Sequence, residues 1–199
     1  MKKIVPIEIS ARHLHISQSD FQKIFSQAEL TKYQDVSQPG QFAATEQVVL
    51  IGPKNKIERV RILGPFREQT QVELSQTDCF TLGITAPVRE SGDLSGSGSI
   101  QIQGPAGMMD LREGAIVAQR HLHIPTDLAT EWGLVNGQIV KIAVSDGPGG
   151  QIKDLVFDEV IVRISDQFKL ACHIDTDEGN AALIRSEQEA QLIIKEDNN

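Results

Sequence analysis

Four of the five histidines in this chain fall within one pentapeptide that is written twice. Arg12-His13-Leu14-His15-Ile16 returns in the second half as Arg120-His121-Leu122-His123-Ile124. In an extended strand successive side chains project to opposite faces, so His13 and His15 point one way and Leu14 the other. The second copy repeats the arrangement. Two neutral imidazoles on one strand face form half of a site for zinc or a similar borderline ion. The plainer alternative is a half-exposed strand that happens to carry histidine; verbatim duplication in a chain this poor in histidine weighs against it. The fifth, His173, stands alone in Ala171-Cys172-His173-Ile174-Asp175. Five histidines exceed the complement of one four-ligand zinc site, so two metals is the natural count. Two sites of three protein ligands each need a sixth group. A carboxylate suits, but spacing does not select one among 27 aspartates and glutamates.

Two arginines follow proline-containing turns, where a loop can present a guanidinium to an anion. Arg67 lies in Leu63-Gly64-Pro65-Phe66-Arg67-Glu68, and Arg89 in Ala86-Pro87-Val88-Arg89-Glu90-Ser91-Gly92-Asp93. A guanidinium binds phosphate through paired hydrogen bonds. Taken alone, each also reads as a solvated surface arginine. Cys172 adjoins His173, but neighbours on a strand face opposite ways, so it reads as a buried structural thiol and not a nucleophile. The Gly/Ser run over 91–99 lacks Gly-Lys-Ser/Thr and leads into strand-like Ile100-Gln101-Ile102. It reads as a linker or hairpin loop and not as a phosphate loop.

The elements that must position these groups are short. Residues 5–9 lead as a strand into the first motif. Ser17 and Ser19 are N-cap candidates for a helix with Phe21, Ile24 and Phe25 on one side. In the second copy Pro125 and Thr126 open a turn of helix with Leu128 and Trp132 as its apolar side. Residues 26–47 are polar, contain Pro39-Gly40, and read as a turn or flap. Strand-like alternation covers 48–51, 57–63, 72–74, 139–144 and 160–164. The pattern predicts an all-β fold of two related small barrels or sandwiches with short helices.

A chain of 199 residues accommodates this, and its 40% hydrophobic and 23% charged content are those of a globular protein. No apolar run reaches the roughly 18 residues of a membrane helix, and the N-terminus lacks a signal-peptide core. Two cysteines are too few for a disulfide framework, so a reduced, cytosolic protein is expected. A net charge of −8 argues against a nucleic-acid partner, though metal ions and a few arginines still suit one cleft to a small anion.

The two His-Leu-His motifs join a series with Gly64-Pro65-Phe66-Arg67, Pro87-Val88-Arg89-Glu90-Ser91-Gly92-Asp93 and Leu111-Arg112-Glu113-Gly114-Ala115-Ile116-Val117-Ala118. Together, over nearly the whole chain, they resemble the phosphate propanoyltransferase family, the zinc-dependent phosphotransacylases of propanediol-utilising bacterial microcompartments. The resemblance implies two β-barrels with the active site in the cleft between them. One barrel would comprise residues 1–11 and 119–199, the other 12–118; the polar 26–47 segment is the candidate cover. One zinc would take His13, His15 and Glu73, the other His121, His123 and His173. Arg67 matches the family's catalytic arginine. Ser10, Arg61, Leu63 and Asn180 fall at positions resembling coenzyme A contacts; Arg89, from its own turn, is the weaker candidate for a supporting role with the substrate. The implied reaction interconverts acyl-CoA plus phosphate with acyl phosphate plus coenzyme A, in a chain that forms neither membrane nor nucleic-acid contacts and is a candidate homodimer. A dinuclear zinc hydrolase would share the ligands, and a non-catalytic zinc-binding protein is the alternative outside catalysis. Because the motif begins at residue 13, no room remains for the N-terminal targeting helix of many microcompartment members. A free cytoplasmic enzyme is therefore expected over one in the lumen.

Overall fold

The computed structural model describes residues 2–145, 150–185 and 188–194. The first half of the chain holds β1 (Lys3–Ser10), β2 (His13–His15), α1 (Gln18–Phe25), β3 (Lys32–Asp35), β4 (Phe42–Ile51) and β5 (Lys56–Gly64). β6 (Gln71–Leu74), α2 (Gln76–Leu82), β7 (Val88–Arg89) and β8 (Gly98–Gln103) follow. The second half holds β9 (Met108–Ala118), β10 (His121–Ile124), α3 (Thr126–Trp132), β11 (Ile139–Val144) and β12 (Leu155–Ile164). It ends with β13 (Ala171–Asp175), α4 (Thr176–Ala182) and β14 (Gln188–Ile193). Among the described residues, no helix is long and apolar enough to cross a membrane.

Strands dominate because the apolar residues alternate, and each helix is a single stretch of seven or eight residues. The Ser17 hydroxyl accepts the Asp20 N–H at the start of α1, whose Phe21, Ile24 and Phe25 are buried, as their spacing predicts. Ser75 with Asp78, and Asp175 with Glu178, form capping boxes on α2 and α4. Helix α3 begins after Pro125 without a side-chain cap.

The strands close two barrels of the same design. In the first, β4, β5, β2, β6, β9 and β8 pair in a circuit that returns to β4, with β3 and β7 attached at its sides. In the second, β11, β12, β10, β13, β1 and β14 do the same. Matched strand for strand, β2 corresponds to β10, β4 to β11, β5 to β12, β6 to β13, β8 to β14 and β9 to β1. The senses agree as well: β2 runs parallel to β5 and antiparallel to β6, as β10 does to β12 and β13. In each half, therefore, the strand that precedes the histidine motif closes the barrel built by the other half. The units that result are Ala11–Ala118, and Met1–Ser10 with Gln119–Asn199. Each has its own core, with Leu14, Ile62 and Val72 in one and Val5, Leu122 and Val162 in the other.

Two segments differ from their sequence reading. The 26–47 stretch is a turn or flap only in part: β3 is an exposed arm paired with β4, and from Phe42 onward the chain is barrel wall with Ala43 and Ala44 buried. Its polar composition reflects the exposed arm and concealed the start of β4. The Gly/Ser run over 91–99 lies inside one unit and joins β7 to β8, so it is a loop and not a linker between the halves.

The arginine that opens each pentapeptide has a structural partner. Arg12 meets Asp78 at 2.8 Å through Nε and 2.7 Å through Nη2; Arg120 Nε meets Glu178 at 2.7 Å. Both acids are the third residue of a capped helix, so each arginine ties the His-x-His strand to the helix that follows β6 or β13. Asp78 is only 2% exposed. Arg12→Ala is expected to destabilise the protein by about 1–3 kcal/mol, the consequence of leaving a buried carboxylate short of a partner. Urea unfolding would measure the loss, and an unchanged midpoint would refute the tether.

Candidate metal centres

Pleating places His13 and His15 on one face of β2, with ring centroids 4.9 Å apart, and His121 and His123 on one face of β10 at 4.6 Å. Leu14 and Leu122 turn to the opposite face and are fully buried. The histidines are themselves enclosed: His13, His15 and His123 are buried, and His121 is half-buried. For the three buried rings a half-exposed strand does not account for their presence.

Strand register supplies the third member of each set. Across the antiparallel ladder His13 faces Glu73 on β6, and at the matching place His121 faces His173 on β13. His13, His15 and Glu73 bring their ligand atoms within 4.8 Å of one another, and so do His121, His123 and His173. Among the described residues these two groups have the composition and spacing to hold a metal ion. The donor sets, two imidazoles with one carboxylate and three imidazoles, are those of three-ligand zinc sites with a position left open.

The rings are oriented for this task. His13 Nδ1 lies 2.9 Å from the Ala11 carbonyl and His121 Nδ1 2.8 Å from the Gln119 carbonyl, the same two-residue reach in both copies. His15 Nδ1 lies 3.2 Å from the Leu63 carbonyl. A carbonyl only accepts, so Nδ1 carries the proton in each case and Nε2 keeps its lone pair for a metal. The buried Nδ1 of His123 has no hydrogen-bond partner, and its ring instead packs 4.1 Å from that of Phe168. Glu8 on β1 lies beside His173, with its carboxylate 3.9 Å from Nδ1.

Charge states follow from the enclosure. Burial, then the neighbouring His13 and Arg67, push the His15 imidazole down to about 3. Burial, then His121, His173 and Arg163, push His123 down to about 2. Burial works to raise the Glu73 carboxyl, but His13, His15, the Ser91 hydroxyl and Arg67 outweigh it and hold the group at about 2. Near neutral pH these are two neutral imidazoles and a carboxylate, the metal-binding forms.

Arg67 belongs to this surrounding. Its backbone N–H bonds to the Ile16 carbonyl at 3.0 Å, which anchors the loop after β5 to the end of the histidine strand. Its Nη1 donates to Ser91 Oγ at 2.9 Å, and Ser91 in turn donates to Glu73 at 2.8 Å. Arg89 is turned elsewhere: it donates to its neighbour's carbonyl at 3.0 Å and lies 3.7 Å from Asp93. Arg61 donates to the Ala44 and Thr45 carbonyls at 2.8 and 3.2 Å and lies 5.1 Å from the Tyr33 ring centroid. Leu63 contributes its carbonyl to His15. Ser10 ends β1 beside Asp175, and Asn180 is an exposed residue of α4. Cys172 is wholly buried, and burial pushes its thiol far above the ordinary range, as expected of a structural residue.

Gln71, Ser91 and the paired arginines Arg12 and Arg120 are the residues that sequence reasoning passed over. Gln71 stands two positions before Glu73 and so shares its strand face, a signal that becomes visible only once Glu73 is placed in the candidate triad.

A family model described as phosphate propanoyltransferase matches residues 6–185 of the chain. The phosphate propanoyltransferase of Thermotoga maritima is 44% identical over 181 residues, covering 90% of this chain and 84% of that protein. Those of Priestia megaterium and Lachnoclostridium phytofermentans are 46% and 47% identical, each over 90% of this chain and over 81% and 83% of their own length.

Proposed function

The chain belongs to the phosphate propanoyltransferase family and is a phosphotransacylase, and from that premise we propose that it interconverts acyl-CoA plus phosphate with acyl phosphate plus coenzyme A using two zinc ions. In this reading His13, His15 and Glu73 hold one ion, and His121, His123 and His173 hold the other. The observation that carries it is the matched register of the two triads, each a His-x-His strand facing a third ligand across the same ladder position. When bound, zinc supplies positive charge that polarises a thioester carbonyl and steadies a departing thiolate.

The chain's own groups account for the rest. Arg67 offers phosphate a planar, two-pronged donor set next to the Glu73 triad, so the incoming nucleophile is positioned and not merely attracted. Its fixed charge also suits the negative charge that grows on the carbonyl oxygen during transfer. Ser91 steadies the guanidinium from one side. Ser10, Arg61, Leu63 and Asn180 are proposed contacts of coenzyme A, and Arg89 a supporting one. No covalent acyl-enzyme is needed, and Cys172, sealed in a core, is unsuited to form one.

The deciding experiment follows thiol release from acetyl-CoA and propanoyl-CoA with and without phosphate, and traps acyl phosphate with hydroxylamine. Release that requires phosphate and yields a hydroxamate is expected. Equal release without phosphate would replace the transferase by a hydrolase, and no release from the metal-loaded protein would remove the reading altogether.

A further inference from the structure

Around Glu73 Oε1 the hydrogen-bond donors can be traced one by one. Gln71, 1% exposed, accepts the Gly92 backbone N–H on Oε1 at 2.8 Å. Gly92 adopts φ +102°, a conformation that favours glycine and aims this N–H at the amide. Because a backbone N–H can only donate, the Gln71 amide has one allowed orientation, with Nε2 toward Glu73 and Ser91. Nε2 donates to Glu73 Oε1 at 2.5 Å and to Ser91 Oγ at 2.8 Å. Ser91 also accepts from Arg67 Nη1 at 2.9 Å, and it spends its one proton on Glu73 Oε1 at 2.8 Å. Oε1 thus receives two donors, which fills both of its lone-pair positions. Oε2 lies 3.5 Å from His13 Nε2, and Oε1, already taken by its two donors, lies 4.0 Å from His15 Nε2.

We propose that Glu73 ligates its metal through Oε2 alone, and that Gln71 and Ser91 are positioning residues that enforce this by holding Oε1. The inference rests on the two-metal reading and deepens it. A carboxylate free to turn can chelate through both oxygens and take up a coordination position. Pinned at Oε1, it contributes one bond and leaves that position to substrate. The same serine couples the ligand to Arg67, so the guanidinium and the open position keep a set spacing. A glutamate at position 71 would place a second carboxylate against the first and lose both N–H donors, which explains why an amide stands there.

The test uses the full chain, stripped of metal and titrated with Co(II), whose visible absorption weakens as coordination number rises. Gln71 and Ser91 touch one triad, so the other serves as an internal reference. In Ser91→Ala and Gln71→Met, the absorbance per ion is expected to fall at one site only. Affinity at that site is expected to weaken by about 10–100-fold, the usual result of removing an outer-shell partner. Ser91→Thr, which keeps the hydroxyl, is expected to restore both. Circular dichroism checks folding; should the buried Gln71→Met fail to fold, the half-buried Ser91 carries the test. Two ions bound by the unaltered protein, with matching spectra and affinities in folded Ser91→Ala, would overturn the positioning role and leave the two-metal reading intact. No Co(II) uptake by the unaltered protein would overturn both.

Discussion

His121→Ala is expected to reduce the bound metal from two ions per chain to one and to slow acyl transfer roughly a thousandfold. The imidazole is one of three candidate ligands whose donor atoms lie within 4.8 Å of one another, and no other His, Cys, Asp or Glu among the described residues joins that group. A metal acting as a Lewis acid contributes several kcal/mol to transition-state stabilisation, and each 1.36 kcal/mol is a factor of ten in rate. His13→Ala should behave alike, because His13 occupies the matching register position. Leu122→Ala is the control. That side chain is fully buried on the opposite face of β10, so its loss should destabilise the fold by about 2–5 kcal/mol while both ions stay bound. Elemental analysis beside the thiol-release assay reads both outcomes. Two ions and an unchanged rate in His121→Ala would dismantle the metal assignment.

Arg67→Lys is expected to lose about a hundredfold in kcat/KM for phosphate while metal content stays at two. Lysine keeps the charge but replaces a planar fork by a single ammonium, which can satisfy either Ser91 or a phosphate oxygen with defined direction, not both. Arg67→Ala, which removes the charge as well, should fall within the 10²–10³ range found for deleting a preorganised donor. Retained metal separates this from ligand loss. Full activity in the lysine variant would remove Arg67 from phosphate binding.

Periodicity made part of the strands legible and missed β3, β9, β13 and β14. Alternation marked β5, β11 and β12, and the duplicated pentapeptide pointed to two related barrels or sandwiches, each with a candidate metal-binding strand. What it could not convey was pairing. Glu73 joins the candidate ligand set because β6 runs antiparallel to β2, an adjacency across nearly sixty residues of chain that leaves no local mark; only the family resemblance pointed to it. Gln71 and Ser91 were hidden for the same reason, being polar residues whose importance lies entirely in what folding brings beside them. The motif arginines were overlooked because their partners, Asp78 and Glu178, look like ordinary helix caps until the strands are in place. The start of β4 was masked by the polar arm that precedes it.

The exchange of leading strands between the two halves has a consequence for the newborn chain. Ala11–Ala118 is contiguous, so that barrel can close once residue 118 has left the ribosome, and the triad of His13, His15 and Glu73 is assembled with it. β1 has to wait, because its partners β13 and β14 are made long after it. At roughly 5–20 residues per second the delay is on the order of ten seconds or more. Throughout it, Val5 and Ile7, which the finished protein shields completely, remain open to solvent and to chaperones. Translation therefore imposes an order on the two centres, and the one built from His121, His123 and His173 is completed second.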